Sequence, residues 1–163
     1  MSYKPKSIDD KGLFKENIHA ALYRSKDIKE LLLNDINGKS PSQIQKEFKE
    51  HVKSHLFIDD TIQETESFIF YDVIFNSLSP NIKRCTIVMY AICHLSILDD
   101  YTKEGYHGNR MDILCKMIEN ALINDKDVCN SFGIGQLSID SIDIYNSTRF
   151  YGYRMNLSVP DFR

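Results

Sequence analysis

Two apolar segments stand out in the pattern of hydrophobic and polar positions along the chain. Residues 68–75 are almost all aromatic or β-branched, and residues 84–95 are apolar at both sets of alternate positions. Both segments are typical of β-strands. A strand that is apolar on both faces has to be covered on both. The second cover is either a helix of the same chain or a neighbouring subunit, and the pattern leaves both open.

Helical periods precede these strands. Apolar residues recur at helical spacing over residues 13–32, where Ser25 can cap a restarted turn. Ser40 and Pro41 then favour the start of a second helix, whose apolar stripe holds Ile44, Phe48, Val52 and His55. Residues 1–12 are polar and include Pro5 and Gly12. We therefore expect a flexible N-terminal arm over residues 1–12 and a single α+β domain over residues 13–163.

The second half of the chain predicts one helix and two strands. Asn109 favours the start of the helix, which follows a long loop over residues 97–108. Two strands follow. In the first, the alternation of apolar and polar residues shifts by one position between Ile139 and Ile142, which indicates a bulge. The last strand alternates cleanly from Tyr151 to Val159. The order α-α-β-β-α-β-β predicts an α+β fold, with a mainly antiparallel four-stranded sheet packed by helices on one side.

Composition narrows the classes of function. The net charge of −3 provides no basic surface for a dedicated nucleic-acid binder. No apolar run reaches the roughly 18 residues that span a bilayer, and no apolar h-region follows residues 1–6, so we expect neither a membrane span nor secretion by a signal peptide. None of the four cysteines belongs to a Cys-x-x-Cys pair, so reduced and buried thiols are expected.

Candidate chemistry is sparse. His51 and His55 are four residues apart on a predicted helix, but Val52 stands where a metalloprotease has its glutamate. The predicted loop contains four residues that could bind a cation: Asp99, Asp100, Glu104 and His107. Their spacing does not match that of a calcium-binding loop. The residues 133–135 form a glycine pair that is too short for a dinucleotide site. We therefore predict a protein without catalytic residues, metal or cofactor, and not an enzyme.

With this order of elements, the chain resembles the small neck proteins of tailed bacteriophages, which close the tail tube or join it to the head. Three features carry the resemblance: the apolar strand over residues 84–95, the loop and helix start at residues 108–114, and the closing strands that end at residues 159–163. It covers residues 14–163 as a pattern. It implies a structural virion protein that forms a homo-oligomeric ring, usually hexameric in tail terminators.

The resemblance also implies partners and a location. The ring would stack on the last tail-tube ring, dock to head-completion proteins, and let DNA pass through its channel without sequence-specific binding. An acidic balance is compatible with such a channel. No membrane is involved, and the protein would be assembled in the host cytoplasm and located in the neck of the virion. The alternatives are a stopper or adaptor protein of the same neck, and a small non-enzymatic bacterial module that binds a protein through its N-terminal helices.

A ring requires two different contact surfaces on each subunit. Tyrosine suits such surfaces because it combines apolar area with a polar tip. We predict that subunit or ring–ring contacts involve the loop, the following helix start and the C-terminal strand: Tyr101, Tyr106, Arg110, Tyr151, Tyr153 and Phe162. The loop and the N-terminal arm are expected to reach neighbouring subunits or rings.

Overall fold

The computed structural model describes residues 8–56, 65–78, 83–129 and 136–162. Residues 1–7 of the predicted N-terminal arm and the glycine pair at residues 133–135 lie outside the described residues. Residues 8–12 of that arm form the start of the first helix. The helix therefore begins five residues before the boundary that the sequence predicted.

The described residues form five helices, five strands and a short 3₁₀ turn. The helices are α1 (Ile8–Arg24), α2 (Lys26–Leu33), α3 (Pro41–His51), α4 (Arg110–Leu122) and α5 (Lys126–Cys129). The strands are β1 (Val52–Lys53), β2 (Ser67–Leu78), β3 (Lys83–His94), β4 (Ser138–Asn146) and β5 (Phe150–Phe162), and the 3₁₀ turn is Leu95–Ile97.

Side-chain caps begin three of the helices, as the sequence predicted. Ser25 accepts the backbone N–H of Ile28 at 3.2 Å, and Ser40 accepts that of Gln43 at 3.3 Å. Asn109 begins α4 through a complete capping box with Asp112. Each cap satisfies backbone donors that have no partner within the helix, and this local chemistry places the helix boundaries.

The sheet differs from the prediction. It has five strands in the order β1-β2-β3-β5-β4; β1 and β2 are parallel, whereas the other neighbours are antiparallel. The prediction of a mainly antiparallel four-stranded sheet in the order α-α-β-β-α-β-β was therefore wrong. The missing strand is β1, where Val52 and Lys53 pair with Ile69 and Phe70. Two residues are too few to show a period of two, and Val52 fitted the apolar stripe of α3.

The helices pack on one face of the sheet. They bury one set of alternate residues of the central strands, among them Tyr71, Ile87, Met89 and Met155, which are 0% exposed. The opposite face carries a smaller cluster of Phe68, Phe70, Ile92 and Phe150. On this opposite face β3 is only partly covered, as the half-buried side chains of Val88 and Tyr90 show.

The last two strands agree with the local pattern. The register of β4 against β5 shifts between Ile139 and Ser141, at the position of the predicted bulge. Residues Tyr151, Tyr153, Met155 and Leu157 of β5 share the helix-covered face, because their partners on β3 lie on that face. β4 forms one edge of the sheet and β1 forms the other.

Candidate functional site

An exposed apolar patch lies at the β4 edge of the sheet. We call Ile142, Ile144, Tyr151 and Tyr153 the β4–β5 patch. Ile142 is 49% exposed and Ile144 is 69% exposed, while the two tyrosines are half-buried. Large exposed aliphatic side chains that stand next to each other are typical of an interaction surface.

The register of the two strands assembles this patch. Ile144 lies directly opposite Tyr153, Ile142 lies opposite Met155, and Asn146 lies opposite Tyr151. Opposite residues of an antiparallel pair project from the same face. The patch therefore continues the helix-covered face of the sheet to its edge, and its two isoleucines remain exposed there.

The side chain of Tyr153 is held in place by contacts with Asp112 and Tyr151. Its hydroxyl donates a hydrogen bond to Oδ1 of Asp112 at 2.5 Å, and its ring lies 5.9 Å from that of Tyr151 in an edge-on contact. Burial, followed by the hydrogen bond to Asp112, raises the pKa of Tyr153 above its ordinary value of 10.0. The hydroxyl is therefore neutral at physiological pH, and the ring presents a fixed surface.

The outer side of the edge strand β4 offers backbone groups for pairing with a further strand. Among the described residues, β4 is hydrogen-bonded to a strand on one side only. Edge strands are usually protected by Lys, Pro or a bulge. β4 has a bulge near its start, but its sequence contains no Lys, Arg or Pro. The part from Ile142 to Asn146 is regular and can accept another partner.

The loop residues Tyr101 and Tyr106 belong to the interior side of their loop. The Tyr106 hydroxyl donates to Oδ2 of Asp27 on α2 at 2.8 Å. Lys103 forms ion pairs with Asp27 at 3.3 Å and Glu30 at 3.0 Å. The loop that was expected to reach neighbouring subunits is thus fastened to α2 of its own chain.

Arg110 lies in the core, 4% exposed. Its Nε donates to Oγ of Ser67 at 2.6 Å, and one terminal nitrogen donates to the Leu31 carbonyl at 2.6 Å and to Oδ1 of Asn34 at 2.8 Å. The guanidinium also lies 5.1 Å from the centre of the Tyr101 ring. These contacts join α2, α4 and β2, so all of them are made within the chain and the side chain does not reach the protein surface.

Phe162 is the last residue of β5, and its backbone lies opposite that of Lys83. Its side chain lies outside what the structure describes. Of the six predicted contact residues, the structure brings Tyr151 and Tyr153 together on β5, where they are half-buried beside the exposed edge strand β4. It places Tyr101, Tyr106 and Arg110 in a separate group beside α2.

A second surface lies at the opposite edge of the sheet. A groove of about 600 Å³ opens between α1, α3 and β1, and we call it the α1–α3 groove. Ala20 and Tyr23 contribute apolar surface, Val52 and Tyr71 lie buried beneath it, and three lysines line it as well: Lys15, Lys49 and Lys53. Burial, followed by the charge of Lys49, lowers the pKa of His19 in this groove.

Buried cysteines and possible metal ligands are the other candidates for chemistry among the described residues. Burial raises the pKa of the Cys93 and Cys115 thiols to about 12, so both are protonated and weakly nucleophilic at neutral pH. The described part of the chain has no group of three or more His, Cys, Asp or Glu that could hold a metal ion. None of its helices is long and apolar enough to cross a membrane.

Sequence reasoning missed Ile142 and Ile144. It used only Ile142, to locate the bulge, and placed neither residue among the predicted contacts. The strand order makes β4 an edge strand, and the helices leave its apolar side open.

The fold defines an α+β domain with helices on one face of a mixed sheet and an apolar patch at one edge. Residues 16–159 match the model of the YomW family, and the chain belongs to that family. YomW is named after a gene product of an SPbeta-like prophage region of Bacillus, which indicates a phage-derived protein. The chain matches none of the curated proteins with which it was compared.

Proposed function

We propose that the chain is a structural protein of the phage neck, which forms a homo-oligomeric ring that ends the tail tube and joins it to the head-completion proteins. The observation that carries self-association is the exposure of Ile142 and Ile144 side by side on an open edge strand. Membership of a phage-associated family supports a viral role. The neck position follows from the resemblance of the element order to neck proteins.

The mechanism is geometric. A capping ring presents one face that fits the last tube ring and another face that the tube subunit cannot bind, so the polymer stops there. The net charge of −3 favours a channel through which DNA slides without being held. The side chains of the β4–β5 patch would lie between subunits and not in the channel.

Oligomeric state tests the proposal directly. Mass photometry of the purified chain from nanomolar to micromolar concentration should show a discrete ring-sized species whose population rises with concentration. The same sample should appear as closed rings by negative-stain electron microscopy. A monomer throughout the micromolar range, measured by size exclusion with light scattering, would contradict ring formation.

A genetic experiment tests the location. In the phage or prophage that encodes the chain, its deletion should leave filled heads and tails unjoined, with tails of uncontrolled length, because nothing caps the growing tube. Complementation in trans should restore joined particles. Normal virions from the deletion strain would exclude a role in the neck.

One observation favours a second candidate, a small non-enzymatic module that binds a protein. The α1–α3 groove is formed largely by the N-terminal helices and combines apolar walls with lysines. This function predicts a stable monomer that binds one partner through the groove, whereas the neck protein predicts rings of the chain alone.

A further inference from the structure

We propose that neighbouring subunits join head to tail, with the β4 edge of one copy seated in the α1–α3 groove of the next. This contact deepens the proposed ring and rests on it, since it names the two surfaces through which the subunits would associate. The occupant of the groove is thus a second copy of this chain.

The two surfaces lie at opposite edges of one sheet. β4 is the last strand in the sheet order, and β1, which contributes Val52 to the groove, is the first. A contact between unlike surfaces is heterologous, and repetition of such a contact closes into a ring when its rotation permits. An edge that bound only its own counterpart would give a dimer.

The apolar parts of the two surfaces lie on the same side of the sheet. Ile142 and Ile144 project from the helix-covered face, as shown by their register with β5. Val52 lies beside Ile69 on that same face, together with Tyr71. Two subunits placed edge to edge therefore bring the isoleucines toward the groove without turning either sheet over.

Volume and lining support this pairing. The groove holds about 600 Å³, which lies within the range of pockets that enclose drug-sized molecules. Two isoleucine side chains are smaller than that volume. Ala20 is exposed on α1 at this site, so the groove is open at a position without a large side chain.

The charges of the two surfaces are complementary. Asp140 and Asp143 are exposed on β4, and β4 has no basic residue. The groove is lined by three lysines and one glutamate: Lys15, Lys49, Lys53 and Glu16. Lys15 is already paired with Asp72 at 2.9 Å, so Lys49 and Lys53 carry the complementary charge. Opposite charge at the two edges favours head-to-tail association and disfavours contact between two β4 edges.

One charge pair also agrees in orientation. Asp143 lies opposite Arg154 on the face away from the helices and forms an exposed ion pair with it at 3.5 Å. Lys53 lies beside Phe70 on that same face. In an edge-to-edge contact, Asp143 of one copy approaches Lys53 of the next. An exposed pair with Arg154 contributes little and does not prevent this contact.

Two one-sided variants provide the test. Ile144→Asp places a charge in the β4 edge, and Ala20→Glu fills the groove. Both positions are exposed, so far-ultraviolet circular dichroism and thermal unfolding should match the parent chain. Each variant alone should self-associate at least about tenfold more weakly, which corresponds to the loss of one central apolar or charged contact.

The mixture of the two variants identifies the contact. Each variant retains one working surface, so an equimolar mixture should form a 1:1 dimer that does not grow further. Contact between two β4 edges predicts instead that Ala20→Glu assembles normally and that the mixture forms no such dimer. That result would overturn head-to-tail docking. As a matched control, Leu95→Asp alters a residue that is 43% exposed and belongs to neither surface, and it should assemble like the parent chain.

Charge reversal tests the orientation. Asp143→Lys and Lys53→Glu should each weaken assembly about three- to tenfold, and the double variant should recover most of that loss. Absence of recovery would overturn the proposed pairing. A monomeric parent chain would refute the ring and this contact together. A parent ring that tolerates both Ala20→Glu and Lys53→Glu would refute only the contact and leave the ring proposal standing.

Discussion

The hydroxyl of Tyr153 donates a hydrogen bond to Oδ1 of Asp112 at 2.5 Å, which ties β5 to the first turn of α4. The other carboxylate oxygen, Oδ2, accepts the backbone N–H of Asn109 at 2.8 Å and completes the cap of that helix. The Asp112 side chain therefore fixes both the start of α4 and the position of the aromatic ring of Tyr153 in the β4–β5 patch. The patch is positioned by the same residue that caps the helix beneath the sheet.

Asp112→Ala should lower the free energy of unfolding by roughly 2–3 kcal/mol, because it removes part of the cap and the partner of Tyr153. Tyr153→Phe should lower it by only about 1 kcal/mol, since the cap remains. Urea denaturation followed by circular dichroism measures both. Equal losses in the two variants would show that the cap contributes nothing. Lys116, whose side chain is 53% exposed on α4 and pairs with Glu119, provides a control as Lys116→Ala.

Arg110→Ala should destabilise the fold by roughly 3 kcal/mol or more, since Ser67, Leu31 and Asn34 lose their common donor in a buried site. Arg110→Lys should recover little, because a single ammonium group cannot reproduce the fork of the guanidinium. Urea denaturation is again the measurement. A variant Arg110→Ala with parental stability but failed assembly would restore the contact role that the sequence suggested.

Lys103→Ala combined with Tyr106→Phe should release the loop from α2 without unfolding the domain. Hydrogen–deuterium exchange should become faster in the residues 99–107, because both substitutions remove contacts to Asp27. The control Lys116→Ala removes an exposed ion pair with Glu119 on α4 and should leave loop exchange unchanged. Unchanged exchange in the loop variant would show that its backbone alone holds it.

Stability should fall in alkaline solution, and Tyr71 should cause part of the fall. Burial raises the pKa of Tyr71 above its ordinary value of 10.0, and its hydroxyl donates to the Lys15 carbonyl at 2.9 Å. Because the folded pKa is the higher one, this contribution is complete below pH 10 and is lost as the pH rises toward the folded pKa.

The slope from one such group is at most about 1.4 kcal/mol per pH unit. Tyr71→Phe should be less stable at pH 7 but should lose less stability between pH 10 and 11 than the parent chain. Chemical denaturation at each pH measures the difference. Parallel pH profiles would mean that Tyr71 ionises as readily in the folded chain as in the unfolded one.

Local pattern was sufficient for the features whose causes are local. The caps at Ser25, Ser40 and Asn109 depend on a side chain and a backbone donor two or three residues away. The bulge in β4 and the alternation in β5 follow from the period of two along one strand. These parts of the fold could be predicted from the order of residues alone.

The remaining features depend on which segments meet. β1 is a strand only because β2 lies beside it, and Ile144 is exposed only because β4 is the edge of the sheet. Arg110 stands at the start of α4, where the sequence led us to expect an exposed contact residue. Partners 43 to 79 residues away bury its side chain instead. Pairing between distant segments is set by the packing of the whole chain and cannot be predicted from a short segment of the sequence. For that reason the sequence by itself determined the helix starts and the strand periodicity, and only the tertiary structure decided the edge of the sheet and the candidate surface on it.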